Sequence, residues 1–321
     1  MAFELEIVRW LQSFSNQFWD YFFQLWTMFG EELVIIAILG FMYWCYDKKV
    51  GEALGITVFV SLVLNSIIKV IVHRLRPFQV DNQIMNIRPK TATGYSFPSG
   101  HTQGAATVFG SLAIWVRKRW LTIIVTIIIV MVALSRMYLG AHFLSDVIVG
   151  GLLGIGLSLG FYYYLSKTEN KQRLYYIVLA LFGLVFVGSY IFYLLSAKTT
   201  IDSSDATVLY NNLEGIAKML GAIFGFVLGV GFEKRSVNFD NHKILWKNLI
   251  RFAGGVVVVM AIRLSLKAIF ALIVDPEATG ALLDGEMIKS SLAVLFDFIR
   301  YFVMVFAGIG LFPMLFKKFK I

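Results

Sequence analysis

Nine apolar runs, separated by short charged or polar segments, set the pattern of this chain. A helix needs roughly 20 apolar residues to cross a bilayer, and each run comes close enough to that length for tilt or snorkelling to make up the difference. The runs lie at about 32–46, 52–72, 100–116, 121–138, 142–165, 174–195, 214–232, 248–274 and 290–315. This pattern predicts an all-α fold, a polytopic membrane helix bundle.

The stretch before the first run has a different pattern. Residues 3–28 interleave aromatic side chains such as Trp10 and Trp19 with charged ones such as Glu4 and Arg9. Such mixing is typical of an amphipathic helix that lies in the membrane interface. A helix partly embedded over the mouth of a binding site is the alternative.

The composition agrees with a membrane protein and argues against a soluble globular protein or a nucleic-acid-binding protein. Of the 321 residues, 58% are hydrophobic and 15% are charged, with a mean hydropathy of +0.75, which is far from a soluble globule. The formal charge of +9 would suit a nucleic-acid partner. Because the basic residues fall in short clusters between apolar runs, no nucleic acid is expected. Cys45 is the single cysteine, so no disulfide can form within the chain.

The basic clusters also predict an orientation. They follow the first, third, fifth, seventh and ninth runs, which places all of them on one side of the membrane. That side should be cytoplasmic. The polar segment 73–99 and the short loop 139–142 then face the other side, together with acidic loops at 196–213 and 275–288.

Six ionisable side chains stand at the ends of apolar runs, where charge is expensive and function is the default hypothesis. They form three blocks: Lys69 with Arg76-Pro77, Pro98-Ser99-Gly100-His101, and Arg136 with His142 and Asp146.

Three of these side chains suit a phosphate ester. A tetrahedral dianion needs several fixed cations, and the guanidinium fork matches its oxygens. Lys69, Arg76 and Arg136 fit that role. Ser99 and Gly100 begin an apolar run, so they would add a hydroxyl, a close backbone approach and helix-start amides.

The histidines supply a nucleophile and a proton donor. His142 and Asp146 are four residues apart and would face the same way on a helix. Asp146 would orient the ring and leave one nitrogen free to attack phosphorus. His101 would protonate the leaving alkoxide as general acid. HExxH and CxxC patterns are absent, so neither a metal site nor a cofactor is expected.

These three blocks resemble the signature of the type 2 phosphatidic acid phosphatase superfamily. The resemblance covers residues 69–146 by motif and 31–195 by helix pattern. It implies Lys69, Arg76 and Arg136 as phosphate ligands with Ser99 and Gly100 at the phosphate cradle. It also implies His101 as general acid, a phosphohistidine at His142 oriented by Asp146, and no metal.

The apolar pattern and the resemblance together predict a domain organisation. Residues 1–30 would be the amphipathic interfacial helix and 31–195 a six-helix phosphatase core. Residues 196–321 would be a C-terminal transmembrane extension outside the family core. The expected function is hydrolysis of a lipid phosphomonoester or pyrophosphate on the extracytoplasmic face, in the plasma membrane of a bacterium.

Several alternatives stay open. A lipid phosphotransferase would use the same site with an acceptor lipid in place of water, and a lipid-binding or transport protein is a third class. Undecaprenyl pyrophosphate, phosphatidylglycerophosphate, phosphatidic acid and sphingoid-base phosphates all fit as substrates.

The extension raises two questions of its own. Lys267 and Asp297 are expected at similar depth as an intramembrane ion pair, near Arg263 and Arg300, with either a packing role or a role in lipid entry. Glycines at four-residue spacing, among them Gly221, indicate close helix packing within the chain or a homodimer face.

Overall fold

The computed structural model describes residues 2–92, 94–168, 171–196, 203–274 and 287–319, and the described residues contain helices and no strands. This confirms the all-α prediction. The α-helices are α1 (Ala2–Gln12), α2 (Gln17–Thr27), α3 (Glu32–Phe41), α4 (Lys48–Val72), α5 (Pro77–Val80), α6 (Gly100–Val116), α7 (Arg119–Tyr138), α8 (Leu144–Lys167), α9 (Gln172–Ser196), α10 (Ser203–Phe232), α11 (Leu245–Ala271), α12 (Met287–Phe306) and α13 (Met314–Phe319). Three π-helical turns extend α3, α10 and α12: Met42–Tyr46, Glu233–Val237 and Ala307–Leu311.

The chain is an integral membrane protein. Within the described residues, seven helices are long and apolar enough to cross a bilayer. An eighth span results if Gln17–Gly30 and Glu32–Tyr46, bent by 48° at their junction, cross together. Two of the nine predicted runs are not among the seven helices. The run 32–46 belongs to the bent pair. The run 100–116 corresponds to α6, whose 17 residues give a length of about 25 Å at the helical rise, the lower limit for a spanning helix.

The N-terminal stretch differs from the predicted single helix. It breaks into α1 and α2, because the side chain of Asn16 accepts a hydrogen bond from the amide of Trp19 at 3.1 Å and starts a new helix. Gln12, at the end of α1, donates to the carbonyl of Tyr138 at 2.9 Å. Arg9 reaches Asp81 at 2.6 Å. Helix α1 is therefore fastened to loops near the ends of α5 and α7.

The chain forms two compact units. The first combines residues 1–38 and 60–169, and the second combines 39–59 and 170–321. Helix α4 contributes to both, since the division falls at Phe59–Val60. All eight predicted site residues belong to the first unit.

Buried polar side chains fix the start of α6 in the first unit. Gln103 is fully buried; its amide oxygen accepts from Asn65 at 2.9 Å, and its amide nitrogen donates to the carbonyl of Ser61 at 2.8 Å. The hydroxyl of Ser61 lies 2.7 Å from that of Thr107. Because buried polar groups are costly unless paired, these bonds specify how α4 and α6 meet.

Helices α6 and α8 pack closely at glycines of α8. A Cβ at Gly154 would lie 2.6 Å from the carbonyl oxygen of Gln103, whereas a Cβ at Gly156 would meet nothing within 4 Å. The Gly154→Ala variant is therefore expected to lose about 1–3 kcal/mol of stability through overpacking. Gly156→Ala is the matched control and should be neutral or more stable by up to about 1 kcal/mol, since alanine favours helices. Thermal unfolding of the purified variants measures both, and equal midpoints would contradict this packing.

The second unit also packs through glycines. Gly221 and Gly225 of α10 face the carbonyls of Phe298 and Phe302 on α12, with too little room for a Cβ. This supports the packing interpretation of these glycines.

The ion-pair partners of Asp297 differ from the predicted one. Asp297 is buried and meets Arg300, one turn along the same helix, and Lys218 of α10 at 3.5 Å, rather than Lys267. The close approach of α10 to α12 brings Lys218 within reach, which depth along separate helices could not reveal.

Candidate active site

His142 lies in the short loop between α7 and α8. The amides of Ala141 and His142 both donate to the carbonyl of Arg136, at 3.1 and 3.2 Å. Gly140 has a φ of +74°, and a Cβ there would lie 2.3 Å from the carbonyl oxygen of Met85. The turn therefore requires glycine, and it holds the His142 ring, which is 2% exposed.

Asp146 lies beside this ring. One carboxylate oxygen, Oδ2, is 3.4 Å from His142 Nδ1, accepts from the amide of Phe143 at 2.8 Å and is bonded by the hydroxyl of Ser96. The other oxygen, Oδ1, accepts from Arg74 at 2.8 Å. The fully buried carboxylate is thus paired with a cation and held on both oxygens, as a buried charge requires.

Arg76 determines which nitrogen of His142 is unprotonated. Its Nη1 lies 3.2 Å from His142 Nε2. A guanidinium can only donate, so Nε2 accepts and carries a lone pair, while Nδ1 bears the proton toward Asp146 and Ser96. This tautomer is assigned from the hydrogen-bond network.

The Arg76 guanidinium is itself held in place. Its Nε donates to the carbonyl of Gly94 at 2.9 Å, and Nη1 donates to that of Ala141 at 3.0 Å. Nη2 donates to the carbonyl of Tyr95 at 3.3 Å, and Lys69 donates to the same oxygen. The loop before α6 thus brings two of the predicted phosphate ligands together.

Arg136 and His101 complete the site. Arg136 is fully buried and donates to the hydroxyl of Thr27 at 3.0 Å and to the carbonyl of Thr91 at 3.2 Å. Among the residues that the structure describes, Arg136 Nε and His101 Nε2 are buried and have no hydrogen-bond partner. Unpaired buried groups cost free energy that a bound anion would offset.

The charges of Lys69, Arg76 and Arg136 all act on the ring of His142. The structure thus gathers the three predicted cations around the His142–Asp146 pair. Fixed cations of this kind are what binding of a phosphoryl group requires.

Ser99 and Gly100 begin α6. Ser99 caps the helix, its hydroxyl accepting from the amide of Thr102 at 3.4 Å, and its own amide donates to the carbonyl of Asp146 at 3.0 Å. The hydroxyl predicted to reach phosphate is thus engaged in the cap. The first intrahelical bond of α6 runs from Gln103 to Ser99, so the amides of Gly100 and His101 lie in the turn where helices bind anions.

Sequence reasoning missed a chain of residues behind Asp146. Arg74 lies in the polar segment 73–99, and its side chain bridges Asp146 to Glu4, with its Nη2 2.7 Å from the Glu4 carboxylate. Glu4 also accepts from the amide of Ser145 at 2.8 Å. Burial alone would raise the pKa of Glu4, but hydrogen bonds from Ser145 and Arg74 hold it below its ordinary value. The spacing of Arg74 two residues before Arg76 was the one available signal.

Two protein-family models match this chain. A family model described as the PAP2 superfamily matches residues 51–170, and one described as the PAP2 superfamily phosphatase transmembrane extension matches 217–321.

Individual relatives match the N-terminal part. Lipid A 4'-phosphatase of Bacteroides thetaiotaomicron is 31% identical over 169 residues, which are 47% of this chain and 72% of that protein. Undecaprenyl-diphosphatase of Sulfolobus acidocaldarius is 34% identical over 133 residues, 41% of this chain and 64% of that protein. The crystal structure of Aquifex aeolicus LpxE is 25% identical and covers 51% of this chain and 97% of its own, with a TM-score of 0.46. The two enzyme names are those of phosphatases that act on lipid phosphates.

Proposed function

Because this chain belongs to the PAP2 superfamily, we propose that it is a membrane lipid phosphatase that forms a phosphohistidine at His142. The observation that carries the proposal is the His142 ring, fixed between Asp146 on its Nδ1 side and Arg76 on its Nε2 side. A neutral imidazole in this tautomer is a nucleophile that already points at a cation able to hold phosphate.

In the first step, Nε2 of His142 attacks phosphorus and the bond from phosphorus to the lipid oxygen breaks. His101 gives its proton to that leaving oxygen. The proton on Nδ1 stays toward Asp146, whose negative charge stabilises the ring as it becomes cationic. Lys69, Arg76, Arg136 and the α6 amides balance the charge on the phosphoryl oxygens.

In the second step, water attacks the phosphohistidine. The nitrogen–phosphorus bond breaks, inorganic phosphate leaves, and His101 takes the proton from the attacking water. His142 returns to its neutral state. Each step needs side chains of this chain, the lipid and water.

The proposed face of the membrane is the extracytoplasmic one. If all nine apolar runs cross the membrane, the motif loops lie opposite the basic clusters that follow the odd-numbered runs, and positive clusters favour the cytoplasm. The substrate class is a lipid phosphomonoester or pyrophosphate, since the site residues read phosphate and leave the tail to apolar helix surfaces.

Phosphate release tests the function. Detergent-purified protein is incubated in EDTA with undecaprenyl pyrophosphate, phosphatidylglycerophosphate, phosphatidic acid and a sphingoid-base phosphate. Release from at least one lipid that is undiminished by EDTA is expected. Folded protein that releases phosphate from none of them, with or without an acceptor lipid, would contradict the proposal.

The pH profile gives a separate prediction. Burial, and then the charges of Arg76 and Lys69, hold the pKa of His142 well below its usual 6.5. The nucleophile is the neutral form, so the loss of kcat/KM that results from its protonation should begin below pH 6.5. Because kcat/KM reports the free enzyme, the profile can be compared between wild type and Lys69→Met. Removing this cation should move the acid limb to higher pH, and an unmoved limb would argue against His142 as the titrating group.

A further inference from the structure

A cavity lies entirely within the second unit. It has a volume of about 510 Å³ and lies between the start of α9, the end of α10 and Phe306 of α12. It shares no residue with the candidate active site. Its size is within the range of small-molecule and lipid sites, roughly 300–1,000 Å³.

The cavity has an apolar floor and a polar rim. Val227, Leu228 and Phe306 contribute to the floor, while Lys234 and Arg235 stand at the rim. The rim is formed where α10 ends and α9 begins, at the ends of two membrane-spanning helices. Lipid headgroups lie at this level of a membrane, and the floor lies at the level of their chains.

A buried carboxylate holds two side chains of the rim in place. Glu52 of α4 is 2% exposed, and it accepts from Lys234 Nζ at 2.8 Å and from the hydroxyl of Tyr175. Both of these side chains line the cavity. Glu52 therefore holds the ammonium group of Lys234 in place, although 47% of the lysine side chain is exposed.

Positive charge exceeds what Glu52 balances. Arg235 is exposed and forms no ion pair within the described part of the chain. Lys171, next to α9, has a pKa below its ordinary value because of burial and because Lys234 and Lys49 lie nearby, although Glu52 opposes the shift. The rim therefore offers a free guanidinium beside a fixed ammonium, a pair that suits phosphate oxygens.

We propose that this cavity is a binding site for a membrane lipid with an anionic phosphate headgroup, separate from the catalytic site. One acyl chain lies on the floor formed by Val227, Leu228 and Phe306. The headgroup is bound by Arg235 and Lys234, with Tyr175 beside them.

Photocrosslinking of the full chain in phosphatidylcholine vesicles tests the proposal. The probe is phosphatidic acid with a diazirine on one acyl chain, used with the full-length His142→Ala variant so that the probe keeps its phosphate. Its partner is the same diazirine on a phosphatidylcholine. The anionic probe should label residues 227–236 more strongly than the zwitterionic one. Equal labelling by both probes would overturn the anionic headgroup.

Two pairs of variants sharpen the test. The double variant Lys234→Gln, Arg235→Gln should reduce labelling of this segment roughly 30-fold, as loss of two basic groups implies, while Lys243→Gln, an exposed lysine outside the cavity, should not. Gly231 lines the cavity and a Cβ there would meet nothing within 4 Å, so Gly231→Leu should fill the cavity and block labelling. Gly183→Leu, on α9 with equal space around it, is its control. Labelling that survives Gly231→Leu would overturn the site.

Inorganic phosphate distinguishes the source of the anion. Excess phosphate should leave the labelling in place, because the acyl chain anchors the lipid. Complete displacement by phosphate would overturn the lipid site in favour of a simple anion site.

Discussion

Replacement of His142 by alanine is expected to reduce phosphate release to background, a loss on the order of 10⁶-fold in kcat as for other nucleophiles that act as a unit with their base. The ring is 2% exposed and its Nε2 is the nitrogen that faces Arg76. No neighbouring side chain offers an equivalent nucleophile with a paired carboxylate among the described residues. Phosphate release from the preferred lipid measures the effect.

The control for this variant is His242→Ala. His242 lies in the segment before α11, and its backbone carbonyl, rather than its ring, accepts from Asn248 at 2.8 Å. That variant should retain wild-type turnover. Turnover by His142→Ala within tenfold of wild type, with the protein folded, would show that another group attacks phosphorus.

Replacement of Asp146 by asparagine is the second large effect, expected to lower kcat by about 10⁴-fold, as when the orienting carboxylate of a histidine base becomes an amide. Asparagine has nearly the same shape but no charge. It removes the anion that stabilises His142 as the ring becomes cationic, and it leaves Arg74 without the partner that lies 2.8 Å away.

Loss of a buried ion pair also lowers stability, by about 3–5 kcal/mol when one partner remains, so the two effects must be separated. Asp81→Asn is the matched control, because Asp81 is buried in the same unit and paired with an arginine, Arg9, away from His142. The control should lower the unfolding midpoint and leave kcat of the folded enzyme near wild type. If Asp146→Asn behaved in the same way as this control, Asp146 would have a structural role alone.

The contact between His142 and Asp146 could be predicted from the sequence because the two residues are close along the chain. His142 and Asp146 are four residues apart, and the contact arises at a helix start, where Asp146 also caps the amide of Phe143. Lys69, Arg76 and Arg136 were predicted from their place at the ends of apolar runs, since charge there is expensive. The structure places all of them around one ring.

The groups that support this set could not be found in the same way. Ser96 and Arg74 reach Asp146 across 50 and 72 positions of sequence, and Glu4 joins them from the N-terminal helix. No local periodicity records a contact between a loop and a distant carboxylate.

The predictions of one helix boundary and one ion-pair partner were wrong for similar reasons. The break between α1 and α2 depends on one capping side chain, Asn16, within an otherwise continuous aromatic pattern. The partner of Asp297 depends on which helix packs against α12, and the glycines of α10 allow that helix to approach closely. A depth argument along each helix does not contain that information.

Trapping of a phosphoenzyme tests the central claim most directly. Purified protein is mixed with a lipid phosphate labelled at phosphorus, quenched within one turnover and digested, and the labelled peptide is identified. We expect an acid-labile, base-stable phosphoryl group on His142, absent from His142→Ala and present in His242→Ala. Label on another residue, or label that persists in His142→Ala, would contradict the assignment of His142 as the nucleophile.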